Sequence, residues 1–190
     1  MIDPGDFEAD DVLWFRALGT LSYFDPVTDR WLDAPPAGER VRFFGAIPPD
    51  VFISGDPDEL DFYRQGTIWS GDTLTGPTES AIEQAAADGS IHSHLDFCVE
   101  DSSGDCSLPG IGHTGNPSVG AYLIELELFS DALDHADQQR YRTADPVKVI
   151  LNHGLVADEC TAAIEALSHR PTDETPEPTP ASGVLILGGE

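Results

Sequence analysis

The apolar residues of this chain come in short runs, each closed by Gly, Pro or Asp, and only one late segment repeats them at helical spacing. Runs that short cannot cover a helix face, but alternation along an extended strand gives each of them a side to bury. Residues 12–15 and 20–24 read as two strands broken at Gly19, with Asp25, Pro26 and Asp29 supplying turn chemistry after them. Residues 40–44 form another, ended by Pro48 and Pro49, because proline has no amide proton for a ladder. Strands over 60–63, 67–69, 91–99, 119–129 and 147–151 follow. Residues 78–87, rich in Glu and Ala, read as a short helix or a polar loop stopped at Gly89. Residues 156–168 space Val156, Cys160, Ile164 and Leu167 as a helix does, with Asp158 and Glu159 placed to suit its N-terminal dipole.

Many short strands and one late helix predict an all-β, mainly antiparallel domain, a β-sandwich or jelly-roll with a short C-terminal helix. A length of 190 residues, 40% of them hydrophobic, suffices for one domain with a real core, taken as residues 1–170. Pro, Thr and Glu dominate from Pro171 to Pro180, so 171–190 is expected to be a disordered tail. No stretch reaches transmembrane length.

Thirty-five acids stand against 9 bases, a formal net charge of −26. That field repels phosphate backbones and anionic membranes and argues against nucleic acid as a partner. It favours metal cations and basic surfaces, and it equally suits a solvated surface in a salty medium. Cys98 and Cys106 flank a short loop that a disulfide can close, which points to an oxidising compartment. Cys160 reads as a small buried hydrophobe, and no Cys-x-x-Cys spacing offers a thiolate metal site. Residues 1–6 lack the basic start and apolar stretch of a signal peptide, so either the protein is cytoplasmic or the chain is a mature or truncated form with a new Met.

Strand alternation over 91–99 turns Ile91, Leu95, Phe97 and Val99 toward a core and places His92, His94 and Asp96 on the other face. Two imidazoles and a carboxylate at that spacing are half of a divalent-metal site, suited to zinc or copper. His113, on a Gly-rich loop, and Glu125, with Glu127 on one face of the 119–129 strand, are the candidates to complete it. The same histidines fit a solvated strand face or ion pairs with those acids. Acidic turns at 56–59 and 101–105 offer oxygens for calcium, or are simply solvated. His135, His153 and His169 read as surface or turn residues. There is no Gly-x-Ser-x-Gly elbow and no phosphate-cradling loop. His92, His94 and Glu100, then Pro109, Gly110, His113 and Asn116, loosely resemble the two cupin motifs at altered spacing, the basis of a small metal-enzyme reading.

The order of segments from Asp88 carries a further likeness: 88–97 around the two histidines, 120–128, 145–155 and a closing helix, then Pro176-Glu177-Pro178 and the apolar run Val184-Leu185-Ile186-Leu187. This pattern resembles the bacterial secreted surface proteins of the PEP-CTERM-associated, zinc-repressor-controlled type, mainly over residues 88–168. Residues 129–144 look like an insertion between two of its strands. The resemblance implies secretion and a connection with zinc, not a reaction. The expected function is therefore a secreted or cell-surface binding domain holding zinc or copper through His92, His94 and His113. The alternatives are an adhesive protein using calcium or basic partners and the cupin-like enzyme.

Overall fold

The computed structural model describes residues 7–93, 95–106, 115–134 and 136–169, with the backbone of 184–188. Its spine is β1 (Val12–Asp25), one strand of 14 residues where the sequence reads as two. Gly19 sits at φ +60°, a conformation costly for any residue with a Cβ, and the register against the next strand shifts between Leu18 and Ser22. The predicted break is thus a bulge inside a continuous strand.

The remaining elements are β2 (Arg30–Leu32), β3 (Arg40–Phe44), α1 (Pro49–Ser54), α2 (Pro57–Arg64), β4 (Thr67–Trp69), β5 (Leu74–Thr75) and β6 (Glu79–Gln84). After them come β7 (Asp96–Glu100), β8 (Gly120–Phe129), β9 (Val147–His153), α3 (Ala157–Ser168) and β10 (Val184–Gly188). One sheet runs β10-β9-β8-β1-β2, with β6 on the N-terminal half of β1; the other runs β5-β4-β3-β7. Every pairing is antiparallel except β10 on β9. The fold is a mainly antiparallel β-sandwich with a short C-terminal helix.

Phe15, Val41, Phe43, Trp69, Tyr122, Ile124 and Val149 fill the space between the sheets. A second core lies on the outer face of the larger sheet, where Ala163 and Leu167 of α3 cover Phe24, Ala121, Leu123 and Ile150. Cys160 packs against this layer, and Trp31 Nε1 donates to the Ala163 carbonyl at 2.9 Å. The first half of β8 is therefore buried on both faces and reads as an unbroken apolar run. Beyond it, Glu125 and Glu127 restore the alternation of a strand with one wet face.

Four segments differ from the sequence reading. Residues 60–63 lie in α2, where Asp56 accepts from the Asp58 amide at 2.9 Å and Pro57 takes the first turn. α1 was not expected, since Pro48 and Pro49 read as a stop when they in fact open a helix. Residues 79–84 are β6, not a helix or loop, because pairing with β1 outweighs the helix preference of Glu, Gln and Ala. Within the segment read as a disordered tail, 184–188 extend the larger sheet as β10. No helix among the described residues is long and apolar enough to cross a membrane.

Candidate functional site

The predicted strand over 91–99 begins only at Asp96. Its core face is placed as the alternation requires, with Val99 buried between the sheets and Leu95 and Phe97 packed against that core. Residues 90–93 return alongside β6 instead, with the Ala86 amide donating to the Ser90 carbonyl at 2.9 Å and Ser93 Oγ to the Ile82 carbonyl at 3.2 Å. This return sets His92, which is exposed, on the rim of an open cleft of about 490 Å³. Val12, Ile47, Pro49 and Phe52 supply the cleft's apolar wall, and Glu83 and Gln84 its polar one. Glu83 Oε2 is shut off from solvent and has no hydrogen-bond partner among the described residues. Glu83 escapes a sequence reading that takes 78–87 for a helix or loop; only its place opposite β1 brings it to the cleft.

The other proposed ligands are dispersed. Asp96 is exposed on the outer face of the smaller sheet, since Phe97 and Val99 on the same strand face inward. Glu125 lies on the outer face of the larger sheet, 3.7 Å from Lys148 Nζ. Glu127, on the same face, bonds Arg16, which also holds Glu79 at 2.6 Å. Two sheets stand between Asp96 and Glu125, a separation of more than about 10 Å, so one ion cannot bind both. The two strands are not paired with each other: β7 pairs with β3, and β8 with β1 and β9. Glu125 and Glu127 are ion-paired with Lys148 and Arg16. His94 and His113 lie outside the described residues. Of the three histidines of the cupin-like reading, only His92 is among the described residues, and it is exposed.

Cys98 and Cys106 form the expected disulfide. With Glu100 they make the one group of potential metal donors found among the described residues. Both sulfurs are spent in the bond, and Glu100, 1% exposed, is already bracketed by Arg40 and Arg42 of β3. Arg42 Nε bonds one carboxylate oxygen; Arg40 Nη2 faces the other at 3.0 Å without hydrogen-bond alignment. The disulfide loop closes over this cluster, bringing Gly104 against the Arg40 guanidinium, where a Cβ would stand 2.7 Å from Nη2. Two guanidiniums repel a cation, so the group is a staple and not a metal centre.

The acidic turns considered for calcium are occupied by their own backbone. Asp101 accepts from Ser103 Oγ, from the Ser103 amide and, across the loop, from the Asn116 amide, and these bonds hold its carboxyl down at about 2. Asp56 caps α2.

A second buried carboxylate, which the sequence did not flag, lies at the end of the sandwich where β8 begins. Glu39, 1% exposed, accepts from the Ser118 hydroxyl, the Ser118 amide at 3.0 Å and the Ala37 amide at 3.0 Å. Burial pushes its carboxyl up, but those donors outweigh burial and hold it below the ordinary range. Tyr122 donates to the Ser118 carbonyl at 2.8 Å and Tyr23 to the Val119 carbonyl at 2.7 Å, so this cluster ties down the entry to β8. His153, the last residue of β9, places Nδ1 3.3 Å from the same Ser118 carbonyl. Compared with family models, curated proteins and solved structures, the chain shows no significant match.

Proposed function

We propose that the chain is a secreted or cell-surface β-sandwich binding domain whose cleft takes a divalent metal, zinc before copper, with His92 as its imidazole ligand. The observation that carries this reading is the pairing of His92 with Glu83 on one cleft, where Glu83 has a carboxylate oxygen without a hydrogen-bond partner among the described residues. An imidazole and a carboxylate are a donor pair zinc takes, and an acceptor left empty under the surface is stabilised by a cation. His94, two residues on, is the proposed second imidazole. Asp96 and Glu125 drop out of the ligand set. The disulfide is compatible with an oxidising compartment. The likeness of residues 88–168 to zinc-repressor-controlled surface proteins supports secretion and zinc.

The test is elemental analysis of the purified protein together with a calorimetric zinc titration. Wild type is expected to hold about one zinc per chain. His92→Ala/His94→Ala should lose it, and Glu83→Gln should weaken it by about tenfold or more. Zinc content at buffer level in the wild type, or the same affinity in the double histidine variant, would sink the reading.

A further inference from the structure

The α1–α2 excursion beside the cleft has the composition of a docking surface. α1 turns Val51 inward and leaves Phe52 72% and Ile53 82% exposed. Phe52 also walls the cleft, so the apolar ridge runs into a concave, partly apolar pocket of the size that takes a ligand side chain. Around this ridge, residues 49–64 carry Asp50, Asp56, Asp58, Glu59 and Asp61 against a single base, Arg64, which pairs with Asp61 at 3.2 Å.

We infer that this surface binds a basic amphipathic peptide segment of a partner protein, one apolar side chain seated beneath Phe52 and Lys or Arg side chains set against the acids. Charge complementarity selects that occupant. Phosphate-bearing surfaces are repelled by the same acids. A second copy would bring an identical acidic ring to an isologous contact and face it with like charge. The inference shares the cleft with the metal reading but does not need the metal, since Phe52, Ile53 and the acids of residues 49–64 carry it and neither Phe52 nor Ile53 can ligate a metal.

The test uses the full chain and a fluorescent amphipathic Leu/Lys helix peptide, read by anisotropy at about 150 mM NaCl. A peptide of the same composition, scrambled so that no apolar face forms, is the control for bulk charge attraction. The amphipathic peptide should bind at least about tenfold tighter than the scrambled one. Phe52→Ser/Ile53→Ser should remove about tenfold of that affinity without lowering the melting temperature, as both side chains are exposed. EDTA should leave the binding unchanged, which separates it from the metal site. Equal affinity for the two peptides, an unaffected double variant, or no binding at all would overturn the proposal. So would a wild-type dimer that the double variant converts to monomer, because the occupant would then be a second copy.

Discussion

Two buried carboxylates show how this acidic chain places charge inside. Glu100 is matched by guanidiniums, Glu39 by neutral donors. The second case gives a pH prediction. The folded-state value of Glu39 lies below that of an unfolded glutamate, so its contribution is fully present above about pH 4.3 and is lost as pH falls through the folded value. Glu39→Gln puts an amide where three donors converge and is expected to cost about 2–3 kcal/mol at pH 7. Urea unfolding should show the gap between wild type and variant closing as the pH drops from about 5 toward 3. A gap that stays constant would mean that Glu39 acts by shape and not by charge. Glu39 does not stand out in the sequence, and Glu100 does so only through the cupin likeness and not as a buried acid, because burial of a carboxylate is decided by elements far apart in the chain. Glu39 meets Ser118, and Glu100 meets Arg40 and Arg42 of β3.

Among the elements, β8, β9 and α3 were legible because their own periodicity suffices to place them. β6 and α2 were not. Glu, Gln and Ala in β6 prefer a helix until β1 offers a ladder, and Leu60, Phe62 and Tyr63 look like a strand unless Asp56 and Pro57 are read as a helix start. Misreading β6 and missing α1 hid the cleft, since Glu83 sits on β6 and Phe52 on α1. The His92–Asp96 segment was half legible: the core-facing residues followed strand alternation, but the ladder begins at Asp96 and leaves His92 on the return along β6. The disulfide was legible from spacing, and it binds β7 to the loop that covers Glu100. Cys98→Ser/Cys106→Ser should therefore lower stability by about 2–3 kcal/mol in chemical unfolding, and dithiothreitol should lower the wild type to the same level. A variant as stable as wild type would show that the 101–106 loop is held by Asp101 and its backbone donors alone.

For the whole molecule the governing quantity is the net charge of −26. Arg16, Arg40, Arg42, Arg64, Arg140 and Lys148 are all engaged with carboxylates, and 9 bases are too few to neutralise 35 acids. Exposed ion pairs of this kind contribute at most about 1 kcal/mol each and weaken with salt, whereas repulsion among the unpaired acids opposes the compact state and is relieved by salt. The second effect has many more members here, so it decides the sign. Raising NaCl from about 10 mM to about 1 M shortens the screening length from roughly 30 Å to roughly 3 Å and is expected to raise the melting temperature by several degrees. The divalent site would add to this differently. Micromolar zinc at fixed ionic strength should stabilise by mass action and only when His92 is present, while sodium should stabilise wild type and His92→Ala alike. A melting temperature that stays flat or falls with NaCl would show that local ion pairs, not collective repulsion, set the response of this fold to salt.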